Sequence, residues 1–160
     1  MKHIRFIQQL SETGCGIAAL AMVLHYYDCK IHIAELSKES NISRDGVSIK
    51  ELMRLADNYG LTGKAVRLNS NKFINSINDK FPCIAVVENN HYVVIDSIKK
   101  DKIFYIDPQV GQINSTIDEF NEIFLGVIVF FERNDRFKKR KSDISRFDFL
   151  KMGLIDRRIV

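Results

Sequence analysis

The stretch Gly14-Cys15-Gly16-Ile17-Ala18-Ala19-Leu20-Ala21-Met22-Val23-Leu24-His25-Tyr26-Tyr27 decides how the rest of this 160-residue chain is read. From Ile17 to Leu24 every position is apolar, so a helix over Gly16 to Tyr27 has no polar face and must be enclosed by the rest of the chain. The run is about half of the ~20 residues needed to cross a bilayer, which makes it a core helix and not a span. At its start stands Cys15. A thiol at a helix N-terminus feels the positive end of the helix dipole, which favours thiolate. The glycines on either side let a substrate backbone come close.

Working outward, a second short helix is expected from His32 to Glu39. A third opens at the capping box Ser48-Ile49-Lys50-Glu51, continues through Leu52, Leu55, Ala56 and Tyr59, and stops at Gly60. The period then changes. Leu61 to Leu68, Cys83 to Glu88, His91 to Ile98 and Lys102 to Asp107 read as strands, the last two joined by the turn Lys99-Lys100-Asp101. Thr116-Ile117-Asp118-Glu119 is a second capping box, opening a short helix through Phe120, and Leu125 to Glu132 is a last apolar strand. Helices followed by a largely antiparallel sheet predict an α+β domain.

Composition narrows the function. With 46% hydrophobic and 28% charged residues, 8 Gly and 2 Pro, the chain is neither disordered nor fibrous. The start Met1-Lys2-His3-Ile4-Arg5 is basic, but Gln8, Gln9, Ser11 and Glu12 stand where a signal peptide needs an apolar region. The cysteines are Cys15, Cys29 and Cys83, an odd number without a C-x-x-C pair, which argues against a disulfide framework or a zinc ribbon. Cys29 with His32 forms a C-x-x-H pair for which two further zinc ligands are not evident. Cys29 and Cys83 are read as core thiols.

From Arg133 onward there are ten Lys or Arg against four Asp, a net charge of +6, while residues 1–132 carry −2. The positive charge centres on Arg136-Phe137-Lys138-Lys139-Arg140-Lys141. The body lacks the interleaved aromatic and basic residues of a nucleic-acid platform, so nucleic-acid binding is not expected. The tail is read as a charged linker, in which Phe147, Phe149, Leu150, Met152, Leu154 and Ile155 have loose helical spacing.

A nucleophilic thiol needs a base, and the base needs an orienting acceptor. Among the four histidines, His91 opens an apolar strand directly after the polar turn Glu88-Asn89-Asn90, and Asp107-Pro108 ends the next strand. If the two strands form a hairpin, His91 and Asp107 meet at one edge of the sheet, where the carboxylate fixes the imidazole tautomer. An amide attacked by the thiol also needs a donor for its oxyanion. Gln9, in a polar loop before Cys15, is one candidate, and Gln8 is the alternative.

The chain resembles the C39 peptidases, the papain-like N-terminal domains of bacteriocin-processing ABC transporters. The resemblance rests on Gln9-x5-Cys15-Gly16-x-Ala18-Ala19-Leu20, on His91-Tyr92-Val93-Val94 and on Asp107-Pro108. It extends to Gly46-Val47-Ser48-Ile49-Lys50-Glu51-Leu52-Met53-Arg54-Leu55-Ala56 and Tyr59-Gly60-Leu61. It implies a papain-like fold over residues 1–132, with 133–160 a basic linker toward a transmembrane domain that this chain does not contain. It makes Cys15 the nucleophile, His91 the base, Asp107 its orienter and Gln9 the oxyanion-hole amide. The position before the nucleophile, often acidic in the family, is Gly14 here. The substrate implied is a precursor peptide with a helical leader, cut after a Gly-Gly or Gly-Ala motif to free a bacteriocin or lanthipeptide. The peptidase domain would use no metal or cofactor, ATP being needed only by a nucleotide-binding domain in a longer, homodimeric protein at the cytoplasmic face of the bacterial membrane. Two other functions are weighed against this one: a leader-docking domain without catalysis, and a papain-like acyltransferase or amidase.

Overall fold

Helix α1 (Cys15–Tyr26) runs through the middle of the molecule, and every residue from Cys15 to Leu24 is buried. This is what a helix without a polar face requires. The structure is a computed structural model that describes residues 3–42, 45–68, 77 and 80–140. Around α1 lie α2 (Ile33–Glu39), which His32 caps by accepting the Ala34 N–H on its ring, and α3 (Ile49–Asn58). Ser48 caps α3 by accepting from the Glu51 N–H, as the capping box predicts.

Six strands complete the domain: β1 (Leu61–Arg67), β2 (Cys83–Val87), β3 (His91–Lys99), β4 (Lys102–Asp107), β5 (Gly111–Thr116) and β6 (Phe124–Arg133). They form one antiparallel sheet in the order β1-β6-β2-β3-β4-β5. Thr116 caps the short helix α4 (Ile117–Ile123) through the Glu119 N–H. The expected α+β architecture is therefore present. Strand β5 is an addition to it: Gln112-Ile113-Asn114-Ser115-Thr116 has one apolar residue and no visible alternation, and its ladder with β4 defines it.

Both faces of the sheet are covered. Ile84, Val86, Tyr92, Val94, Ile106, Val129 and Phe131 join the core under α1, α2 and α3. Ala85, Val87, Val93, Ile95, Ile103, Tyr105 and Ile128 join a second core with Phe120 of α4 and Phe124. Covering on both faces explains why Cys83-Ile84-Ala85-Val86-Val87 is continuously apolar and buried throughout.

The packing does not stop at the expected boundary after residue 132, which falls inside β6. Asn134 donates its N–H to Gly60 O at 2.9 Å, and Arg136 pairs with Asp57. Phe137 packs against the helical core. Arg140 pairs with Glu35, while its backbone exchanges hydrogen bonds with Asp28 and Lys30. A Cβ on Gly60 would lie 2.2 Å from Phe137 Cα, so only glycine lets this segment come so close. Arg136, Phe137 and Arg140 thus contact the domain, and the loosely helical positions from Phe147 to Ile155 lie outside the described residues.

Candidate active site

Three elements bring the candidate residues to one edge of the sheet. Cys15 is the first residue of α1, behind a turn in which Gly14 donates its N–H to Ser11 O at 3.0 Å. His91 is the first residue of β3. The connection before it is tight because Asn89 and Asn90 take left-handed φ values of 64° and 54°, which Asn tolerates better than most residues. Asp107 ends β4, and the pairing of Val94 with Ile106 sets the end of β4 beside the start of β3.

The expected hairpin is present and joins the two residues. His91 Nε2 and Asp107 Oδ1 are 2.7 Å apart, and the same oxygen accepts the Gln109 N–H at 2.8 Å. With Nε2 occupied by the carboxylate, Nδ1 is the ring nitrogen left for the Cys15 thiol, with which His91 is hydrogen-bonded. That bond is the main cause that raises the His91 pKa to about 9; partial burial opposes it, and the Asp107 bond and charge add to it. For Cys15, burial alone would push the thiol up. The His91 bond, the Tyr92 N–H, the His91 charge and the Gly16 N–H outweigh burial and hold it below the ordinary thiol range. Cys83, by contrast, is fully buried without such partners, and burial drives its pKa far up. Near neutral pH the arrangement supports a thiolate–imidazolium pair, which can attack a carbonyl and protonate a leaving amine.

Gln9 is brought to the same edge by its backbone, which donates to Pro108 O at 2.9 Å. Its side chain is turned differently from the expectation. Nε2 donates to Ser11 O at 2.8 Å and, at 3.5 Å, to Glu12 O, while Oε1 is buried without a partner. Gln8 is exposed. The Cys15 N–H belongs to the first turn of α1, where no intrahelical acceptor exists, so it is a ready oxyanion donor. Three contributors escape a reading of the sequence: the N–H groups of Tyr92 and Gln109, and Val47, which packs on Gly16, the residue after the nucleophile. The backbone donors carry no side-chain signal. The Asp107-Pro108-Gln109 turn does carry one, since Asp commonly accepts from the N–H two residues on. Among the described residues no group of three or more His, Cys, Asp or Glu is placed to hold a metal.

The model of the peptidase C39 family matches residues 3–136. The chain belongs to the peptidase C39 family. It is 30% identical over 150 residues to the lactococcin-G-processing and transport ATP-binding protein LagD of Lactococcus lactis subsp. lactis, covering 91% of this chain and 21% of that one. The chain spans about a fifth of the length of the transport ATP-binding relatives it matches. Among solved structures it resembles a double glycine motif protease from an AMS/PCAT transporter in complex with the leader peptide. That likeness has 30% identity and a TM-score of 0.75 over 83% of this chain and 94% of the other. The peptidase domain of Streptococcus ComA shares the fold at 20% identity, with a TM-score of 0.75 over 82% of this chain and all of that domain. The fold and family are those of papain-like cysteine peptidases.

Proposed function

We propose that this C39 domain is a cysteine endopeptidase that removes leader peptides from bacteriocin or lanthipeptide precursors, cutting after a Gly-Gly or Gly-Ala motif. The observation that carries the reading is the Cys15–His91–Asp107 arrangement at the mouth of α1, in a chain resembling a double glycine motif protease solved with its leader peptide. Cys15 thiolate attacks the carbonyl carbon of the last leader residue. The oxygen takes up the negative charge and is held by the Cys15 N–H and the Gln9 amide, which must turn away from Ser11 O to reach it. The His91 imidazolium then gives its proton to the departing amine, leaving a thioester. His91, neutral at that point, takes a proton from a water whose oxygen attacks the thioester; the leader leaves as a carboxylic acid, and the Cys15 thiolate and His91 imidazolium are restored. Asp107 keeps Nε2 engaged so that Nδ1 faces sulfur throughout. The cycle balances with water alone and calls for no metal or cofactor.

In this reading the partner is a precursor whose leader docks as an amphipathic helix. The full-length protein continues from this domain into a transmembrane unit at the cytoplasmic face of a bacterial membrane. ATP-driven export then belongs to the longer homodimeric protein. The test is incubation with precursors carrying Gly-Gly or Gly-Ala, read by mass spectrometry. Cleavage after the second small residue is the expected product. Tight leader binding without cleavage would point to a docking domain, and transfer of an acyl group to an added amine would point to an acyltransferase.

A further inference from the structure

The residue after the base has a second attachment that the chemistry above does not use. Tyr92 is 8% exposed, and its hydroxyl donates to Val47 O at 2.8 Å. Its ring lies against Gly16: a Cβ built there would be 3.1 Å from Tyr92 Cδ2 and 2.4 Å from Val47 Cγ1. Val47, itself 4% exposed, is therefore pinned twice, its side chain against the residue following the nucleophile and its carbonyl by the tyrosine. One residue earlier, a Cβ on Gly46 would stand 3.4 Å from Thr13 O, so the segment 45–47 abuts the turn that leads into Cys15.

The direction of the substrate follows from the chemistry. The leaving amine must face His91 to be protonated, so the residues before the scissile bond lie away from it, and the inference seats them against the Thr13-Gly14 turn and the Gly46-Val47 backbone that abuts it. We infer that Tyr92 is a positioning residue whose hydroxyl holds the Gly46-Val47 backbone as a rigid wall beside the nucleophile, and that this wall enforces small residues before the cleaved bond. The inference rests on the cleavage reading above. Size discrimination needs a wall that does not yield, because a loose segment would shift to admit an extra methyl. A buried hydroxyl-to-carbonyl bond tying the wall to the central strand supplies that stiffness.

Tyr92→Phe deletes the hydroxyl and keeps both the ring and the backbone N–H to Cys15. With the full chain and matched precursors whose leaders end in Gly-Gly or Ala-Gly, the variant should lose about three- to tenfold of the preference for Gly-Gly, the scale set by one net hydrogen bond. The loss on Gly-Gly should fall mainly on KM, while the pH profile of Cys15 alkylation stays in place. Val47→Ala keeps the carbonyl but removes the methyl contact with Gly16. It should relax the same preference, and the double variant should show less than the sum of the two single effects. Without any substrate, amide hydrogen exchange over residues 45–48 should quicken in Tyr92→Phe. Unchanged exchange there overturns the inference, as does an unchanged Gly-Gly to Ala-Gly ratio when only the melting temperature falls. Failure of the unaltered protein to cut any double-glycine precursor counts against the cleavage reading instead, and the exchange measurement still decides the wall.

Discussion

Two ends of this molecule are closed by ion pairs, one across a hairpin and one between segments far apart in sequence, and they do not behave alike. At the catalytic edge, His91 and Asp107 are 20% and 19% exposed, and the imidazole is also bonded to a thiol that burial alone would keep neutral. At the other end, Arg136 and Asp57 pair while 66% and 43% exposed. Water screens the second pair, and exposed pairs of this kind contribute about 0–1 kcal/mol. What holds residues 134–140 is Phe137 on the helical core and the backbone bonds to Gly60, Asp28 and Lys30. The same kind of pair thus tunes reactivity where water is partly excluded, and decorates an apolar and backbone contact where it is not.

The widest separation between the two ends should come from Cys15→Ala. Cleavage should drop to background while leader affinity, measured by calorimetry, stays within about twofold, because the bond-making atom is gone and the docking surface is not. Residual turnover well above background would move the nucleophile elsewhere. Next, His91→Ala should cost about 10²–10⁴-fold in kcat/KM, the usual worth of a general acid–base group. Asp107→Asn should cost less, since it keeps a hydrogen-bonding side chain and removes only the charge. Equal and complete loss in both, with the fold intact by circular dichroism, would mean Asp107 does more than orient.

The pH profile sharpens the contrast. The His91 pKa is raised from 6.5 to about 9, so the imidazolium persists through neutrality and disappears as pH rises through about 9. The alkaline limb of kcat/KM should fall there. Asp107 is one of the groups that raise this value, so Asp107→Asn should move the limb to lower pH. A limb at the ordinary histidine value in the unaltered protein would contradict the bonding described.

The smallest effects belong to the other end. Ending the chain after Glu132 removes Phe137 and its backbone contacts, whereas ending it after Arg140 keeps them. The shorter chain should be less stable in urea by about 1–3 kcal/mol, the scale of burying one aromatic side chain in part. Phe137→Ala should reproduce most of that loss, and Asp57→Asn should change stability by less than about 1 kcal/mol. Equal stability of both truncated chains would return residues 133–140 to the role of a linker.

Much of this molecule is legible in its sequence. The unbroken apolar run of α1, the capping boxes at Ser48 and Thr116, and the hairpin that joins His91 to Asp107 are local signals, and each appears at the expected residues. The rest depends on partners distant in sequence. Strand β5 has polar residues that only its ladder with β4 orders. Residues 134–140 look like a linker because their charges are conspicuous, while Phe137, which packs them on the helical core, is not. Gln9 is legible as a neighbour of the site, but the direction of its amide depends on Ser11 and Glu12, whose carbonyls carry no sequence signature.

A thiolate at Cys15, sustained by His91, is central to the chemistry. The most direct test is the rate of iodoacetamide alkylation at each cysteine as a function of pH, read by peptide mass spectrometry in the folded protein and in His91→Ala. Cys15 should react far ahead of Cys29 and Cys83, with its midpoint below the ordinary thiol value, and in His91→Ala that midpoint should move upward toward or past it. A Cys15 that reacts no faster than Cys83, or whose midpoint ignores the loss of His91, would contradict the assignment.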